Sequence, residues 1–193
     1  QCGSRGLGDV YKRQGIYTPL KRVTPLNTAV GAVAGALPIA IGWFAADGPQ
    51  QVLAGDISAA LAVASLGTVL YLWQFPHFMA IAWLYRKQYD LADLKMLTVT
   101  DPSGLRAAGQ SLAAALAMIP VSLAMAVPSG SIRMFLTAAV ASTVYVLVSV
   151  NFAFRRDDRS ARILLFTSLG VLLILMMSAV AFSAPKVLSG SYL

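Results

Sequence analysis

Long runs without a charged residue constrain this chain more than any other feature of its sequence. Residues 23–46 and 57–85 contain no Asp, Glu, Lys or Arg over more than 20 positions each. About 20 apolar residues are enough for an α-helix to cross the hydrocarbon core of a membrane. Three more apolar runs follow, at residues 107–127, 134–154 and 163–184. The sequence therefore predicts five transmembrane helices.

The composition supports the same class of protein. Of the 193 residues, 58% are hydrophobic and 12% are charged, and the mean hydropathy is +0.70. A water-soluble domain carries about twice that fraction of charged residues. A transmembrane barrel would need short segments of alternating polarity, whereas these runs are apolar throughout. We expect an all-α fold, a polytopic transmembrane helical bundle.

The net charge of +7 is explained by where the cations lie. After residue 14, basic residues gather in three alternate loops, at residues 15–23, 86–106 and 155–162, and only Arg133 and Lys186 fall on the other side. Basic loops of membrane proteins lie on the cytoplasmic side. We therefore expect a multi-pass protein of the inner (plasma) membrane with these three loops in the cytoplasm, and no nucleic-acid partner.

Residues 1–14 differ from the rest of the chain. They are polar, interrupted by glycine and too weakly apolar for a signal peptide. They also contain Cys2, the single cysteine, so the sequence excludes an internal disulfide and a cysteine metal cluster. We interpret these residues as a non-native leader and expect the protein's own sequence to continue upstream of residue 15.

The second predicted helix contains the only histidine of the chain, His77. Gln74 lies three residues before it, so the two side chains are expected to share a helix face, with Pro76 weakening the backbone hydrogen bonds between them. An ionisable group within a membrane helix usually faces the interior of the bundle. His77 is therefore either a packing residue or a ligand. Trp83 and Tyr85 are expected to form an aromatic belt at the membrane surface.

Two groups of charged residues flank these helices. Lys21 and Arg22 precede the first helix, where free backbone N–H groups add to their charge, so they form either an anion site or a topology signal. Asp90 and Asp93 lie three residues apart on one helical turn and could hold a hydrated Mg²⁺, or they could simply be neutralised by neighbouring cations.

Three segments carry a resemblance to a known family: YTPLKRVTPLNTAVGAVAGALPIAIGW, LWQFPHFMAIAWLYRKQYDLADLKML and DPSGLRAAGQ. Together they resemble the protoheme IX farnesyltransferases, or heme O synthases, of the UbiA-type membrane prenyltransferases, with WQFPHF the most specific part. The resemblance implies a bundle of about nine transmembrane helices, of which the five here would be the last five. Residues 15–193 would then be the C-terminal part of a membrane prenyltransferase domain. We expect this part to be inactive alone, since half a cavity cannot exclude water from a carbocation.

The resemblance also implies the reaction. The family transfers a farnesyl group from farnesyl diphosphate to a vinyl group of protoheme IX (heme b), with Mg²⁺, and so makes heme O for terminal oxidases. The bilayer, both substrates and heme-modifying or oxidase-assembly proteins are the implied partners. The implied site residues are Lys21, Arg22 and Arg86 for catalysis, Tyr17, Asn27, Gln74, His77 and Tyr85 for substrate binding, and Asp90 and Asp93 for the metal. The chain departs from the family at Gln88, where an acidic residue is common, and at Asp93, where glycine is common.

Two other functions stay open from the sequence. One is prenylation of another acceptor, such as a quinone precursor. The other is a non-enzymatic membrane protein that binds heme or assists oxidase assembly. A transporter is disfavoured, because transporters place ionisable groups near the bilayer midplane, and here the polar residues are expected at one rim with the helices bare at mid-depth.

Overall fold

The structure is a computed structural model that describes residues 27–92 and 96–182, without the side chains of Asn27 and Val30. In these ranges the ordered elements are all helices. They are α1 (Asn27–Ala45), α2 (Gly48–Leu53), α3 (Ile57–Leu84), α4 (Arg86–Leu91), α5 (Leu97–Thr100), α6 (Leu105–Ala124), α7 (Ile132–Arg155) and α8 (Asp158–Phe182).

Four of these helices, α3, α6, α7 and α8, are long and apolar enough to cross a membrane. Helix α1 contains a shorter apolar part, Gly31–Ala45, and the span predicted at residues 23–46 begins outside the described residues. The prediction of an all-α polytopic membrane bundle is confirmed.

Helix α3 is the centre of the bundle. The four long helices pack in the order α3, α6, α7 and α8, and α8 also packs against α3, so they form a closed antiparallel arrangement. Helix α1 packs on the outside of α3. The core contains Val69, Met118, Tyr145 and Leu164, all fully buried. Buried alanines and serines line most of the helix contacts, and small side chains of this kind let membrane helices approach closely.

The last helix starts earlier than the sequence predicts. Helix α8 begins at Asp158, not at residue 163, so the loop expected at residues 155–162 is short. Asp157 explains the difference, because its carboxylate accepts a hydrogen bond from the Ser160 backbone N–H at 2.8 Å, and the Ser160 hydroxyl accepts one from the Asp157 N–H at 3.3 Å. This reciprocal cap allows a charged segment to begin a helix.

The cations of the described residues gather at one end of the bundle. The C-terminal ends of α3 and α7 and the N-terminal ends of α6 and α8 meet there, and we call this the charged end. Its cations are Arg86, Lys87, Arg106, Arg155, Arg156, Arg159 and Arg162. Within the described ranges the opposite end has Arg133. This distribution agrees with the loops predicted at residues 86–106 and 155–162, while the loop at 15–23 lies outside the description.

The expectation that Trp83 belongs to a surface belt is wrong. Its side chain is only 6% exposed, whereas Tyr85 is 52% exposed. The Trp83 ring meets Phe152 edge to face, with centroids 6.0 Å apart. Gly104, in the left-handed conformation with φ +72°, makes room for this ring, because a Cβ atom there would lie 3.1 Å from Trp83 Cη2 and closer still to Cζ3. Trp83 is therefore a core residue of the charged end.

We expect Gly104→Ala to destabilise the protein more than Gly130→Ala. Both glycines have positive φ, so each substitution costs about 1–2 kcal/mol of backbone strain. A Cβ at Gly130 would meet nothing within 4 Å, whereas one at Gly104 overlaps the Trp83 ring, which adds about 1–3 kcal/mol. SDS titration in mixed micelles measures the free energy of unfolding of both variants. Equal losses would mean that Trp83 does not press against Gly104.

Candidate functional site

Arg86 is held at the charged end by three contacts. Its Nη1 pairs with Asp158 Oδ1 at 2.8 Å and donates to the Trp83 carbonyl at 2.6 Å. Its guanidinium carbon lies 4.6 Å from the centre of the Trp83 ring, a cation–π contact. Because α4 begins directly after the end of α3, Arg86 turns back over Trp83. The contacts join the end of α3 to the first turn of α8.

The guanidinium keeps free donors. It has five N–H groups, and Nη1 uses its two on Asp158 and Trp83. In the described part of the chain, Nε and Nη2 make no hydrogen bond, and the side chain is 32% exposed. One edge of a fixed guanidinium can bind two oxygens of a phosphate group in parallel. Arg86 can therefore bind an anion without leaving Asp158.

Two nearby carboxylates cap helices. Hydrogen bonds from the Ser103 hydroxyl and from the Arg106 backbone N–H hold the pKa of Asp101 below its ordinary value. Hydrogen bonding with Ser160 lowers the pKa of Asp157 in the same way. Both carboxylates are therefore ionised at neutral pH. Asp101 supports the turn at residues 101–104 and the start of α6.

The predicted metal ligands are not brought together in the described residues. Asp90 is exposed on α4, and Asp93 lies outside the description. Among the residues that were described, no group of three or more His, Cys, Asp or Glu side chains could hold a metal ion. The metal assignment to Asp90 and Asp93 stays a prediction.

A second polar cluster lies inside the bundle. His77 Nδ1 is 2.8 Å from Ser168 Oγ, the Trp73 indole Nε1 donates to the Ser168 carbonyl at 2.6 Å, and the Tyr145 hydroxyl donates to the Trp73 carbonyl at 2.8 Å. We call these four residues the mid-depth network. It joins α3, α7 and α8.

The depth of this network corrects an expectation. His77 lies seven residues before the end of α3, roughly 10 Å along the helix axis, and Tyr145 lies ten residues, about 15 Å, before the end of α7. Measured from these helix ends, His77 lies about a third of the way and Tyr145 about half of the way through a hydrocarbon core of about 30 Å. The expectation that the helices are bare at mid-depth is wrong.

The His77 ring is oriented by its neighbours. It stacks on Trp73, one helical turn earlier, with centroids 4.8 Å apart and planes at 25°. Phe78 meets it edge to face at 5.8 Å. Helix α3 continues through Pro76, and the Trp73 carbonyl close to the proline receives the Tyr145 hydroxyl. The ring is half-buried, so part of it stays accessible.

Gln74 does not act beside His77. It is 5% exposed, and its side-chain Nε2 donates to the carbonyls of Ala32 in α1 and Leu70 in its own helix, each at 3.0 Å. A Cβ at Gly35 would approach Gln74 Cδ to 2.8 Å, so glycine is what lets the amide reach α1. The expected common face is wrong, because Gln74 contacts α1 and His77 contacts α8.

The remaining predicted site residues divide into two groups. Tyr85 and Arg86 lie together at the charged end, with Tyr85 exposed. Outside the described residues are Tyr17, Lys21, Arg22 and Asp93, and the side chain of Asn27 at the start of α1 is also not described. Their roles stay predictions.

The sequence reasoning missed Asp158, Ser168 and Tyr145. Asp158 lies 72 residues from Arg86 and Ser168 lies 91 residues from His77, so no local pattern joins either pair. The only signal was a polar side chain within an apolar run, which Ser168 and Tyr145 both provide.

Three apolar grooves of about 410, 380 and 310 Å³ lie elsewhere, and none is lined by His77 or Arg86.

The chain is similar in sequence to several known proteins. The chain is 42% identical over 166 residues to the protoheme IX farnesyltransferase of Rhodopirellula baltica, an alignment that covers 81% of this chain and 55% of that relative. It is 41% identical over 154 residues to the protein of that name from Solibacter usitatus, covering 79% and 50%. With the human mitochondrial protoheme IX farnesyltransferase it shares 36% identity over 185 residues, covering 95% and 39%.

The chain spans about half the length of the curated bacterial relatives and less of the human one. No solved structure matches it. The profile of the UbiA prenyltransferase family matches residues 14–173, which include α1 to α7, the charged end and the whole mid-depth network. Because this match covers most of the chain, the chain belongs to the UbiA prenyltransferase family.

Proposed function

We propose that this chain belongs to a protoheme IX farnesyltransferase, which transfers the farnesyl group of farnesyl diphosphate to protoheme IX and produces heme O. The observation that carries the proposal is that relatives of this name align with up to 95% of the chain at 36–42% identity. The charged end over an apolar bundle supports the same chemistry.

Breaking the bond between farnesyl and diphosphate requires stabilisation of the negative charge that develops on the leaving group. Arg86 is suited to this task, because Asp158 and the Trp83 carbonyl fix its position while Nε and Nη2 stay free. Lys21 and Arg22 are proposed to supply further positive charge. The diphosphate would then bind at the charged end.

The farnesyl cation requires a site without water. The bundle below Arg86 supplies apolar and aromatic surface, with Trp73 and Phe78 half-buried and Phe75 buried on α3. His77 lies deeper on the same helix, where protoheme is proposed to bind. The two substrates would thus approach along α3, the diphosphate from the polar end and the porphyrin from the apolar part.

Mg²⁺, when bound, would neutralise part of the diphosphate charge. The described residues alone do not form a site for it, since Asp90 is exposed and no acidic cluster surrounds it. We therefore assign no step of the reaction to Asp90. The proposed cofactor depends on residues outside the described ranges, Asp93 among them.

We expect Arg86→Ala to lower heme O formation on the order of 100-fold, as loss of a fixed donor to a developing anion does elsewhere. The assay uses a chimera in which residues 15–193 replace the matching part of the Rhodopirellula baltica relative, expressed in a bacterium without heme O synthase. Extracted hemes are quantified by chromatography and mass spectrometry. Asp158→Asn should lower heme O formation less, because Arg86 keeps its charge and its bond to Trp83.

Arg159→Ala is the matched control, since Arg159 is an exposed cation at the same end without a described partner. It should retain heme O formation. Equal activity of the Arg86→Ala chimera would contradict the role of Arg86. A chimera that inserts normally, makes no heme O and instead prenylates an aromatic acid would favour the alternative acceptor.

We propose that the protein lies in the inner membrane with the charged end in the cytoplasm. Single cysteines in a Cys2→Ser background test this orientation with a membrane-impermeant maleimide. Arg159→Cys, at the charged end, should react only in inverted vesicles, and Gln50→Cys, exposed on α2, only in intact spheroplasts. The reverse labelling pattern would contradict the orientation.

A further inference from the structure

The hydroxyl of Ser168 determines which nitrogen of His77 carries a proton. Ser168 Oγ donates to the Leu165 carbonyl of its own helix at 2.6 Å and lies 2.8 Å from His77 Nδ1. A hydroxyl has a single proton, and here it is used on Leu165. Oγ can therefore only accept from the histidine, so Nδ1 carries the ring proton.

The other ring nitrogen is then left with a lone pair. A neutral imidazole has one N–H group, so Nε2 is unprotonated when Nδ1 donates. In the described part of the chain Nε2 makes no hydrogen bond, and it is not among the polar side-chain atoms that are buried without a partner. Nε2 is thus an accessible acceptor inside the apolar part of the bundle.

The same serine also fixes the plane of the ring. Its carbonyl accepts the Trp73 indole N–H at 2.6 Å, and Trp73 stacks on His77. Tyr145, which is fully buried, fixes the backbone of Trp73 from α7. Ser168 therefore holds His77 twice, directly through its hydroxyl and indirectly through the indole.

We propose that Ser168 is a positioning residue that holds His77 as the Nδ1–H tautomer, so that Nε2 binds the iron of protoheme as an axial ligand. The arrangement is the one that metal-ligating histidines generally use, with the second nitrogen donating to a neighbouring oxygen that fixes tautomer and orientation. Histidine is a common axial ligand of heme iron. The part of the inference that concerns iron rests on the proposed function; the tautomer does not.

The tautomer is measured without heme. Because the chain has one histidine, ring ¹⁵N-histidine labelling of the full chain in nanodiscs, purified through a tag without histidine, gives one pair of ring resonances. We expect protonated Nδ1 and unprotonated Nε2. Ser168→Ala should abolish this preference, and Ser168→Thr, which keeps the hydroxyl, should restore it.

Ser178→Ala is the matched control. Ser178 is another buried serine of α8 that donates to the carbonyl three residues before it, Leu175, at 2.9 Å, but it does not contact His77. Its substitution should leave the histidine resonances unchanged. A protonated Nε2 in the unsubstituted chain, or the same tautomer after Ser168→Ala, would overturn the inference whatever the reaction of the enzyme.

Ferric protoheme added to the same samples tests the ligand. We expect the Soret band and electron paramagnetic resonance of an imidazole-ligated iron, with loss of the Nε2 resonance. His77→Ala should remove these signals, and Ser168→Ala should weaken heme affinity by about 10-fold. If these spectroscopic signals survive His77→Ala while the chimera still makes heme O, His77 is not the iron ligand. The proposed function would then be unaffected. If the spectroscopic signals are as expected but the chimera inserts and makes no heme O, only the proposed function is overturned.

Discussion

Polar groups inside a membrane must find partners within the protein, because lipid offers none. Most buried serines meet this requirement in their own helix; Ser142 and Ser149, for example, donate to carbonyls one turn earlier, at 2.7 and 2.8 Å. Several side chains of the described residues instead reach another helix, and these belong to α3 or contact it. Trp73 and His77 bind α8, Gln74 binds α1, and Tyr145 of α7 binds Trp73. Helix α3 thereby determines how its neighbours are placed.

This requirement also explains what could be predicted from the sequence. The existence of the long helices follows from uncharged runs such as residues 57–85, because an uncharged run of that length has few other stable structures in a membrane. The turn at residues 101–104 and the start of α3 after Asp56 follow from local capping, which acts over two or three residues. Capping of this kind depends only on neighbouring residues, so it can be predicted from the sequence.

The contacts that build the candidate sites are of another kind. Arg86 with Asp158, and His77 with Ser168, join residues far apart in the chain, and their pairing depends on how α3 packs against α8. The same packing separates Gln74 from His77, although helical spacing favours a common face. Trp83 was expected at the membrane surface because tryptophan often lies there. Gly104, which is 21 positions later and has a positive φ, instead leaves room for the Trp83 ring in the core. Spacing within one helix cannot show which neighbour each side chain meets.

Helix α8 supplies a partner at both candidate sites. Asp158 in its first turn holds the arginine proposed for the diphosphate, and Ser168, ten residues further along, holds the histidine proposed for the porphyrin. Both partners belong to one helix, so a shift of α8 along α3 by a single residue would break the contact with Arg86 and the contact with His77 together. The register of α8 against α3 therefore determines whether these two contacts can form together.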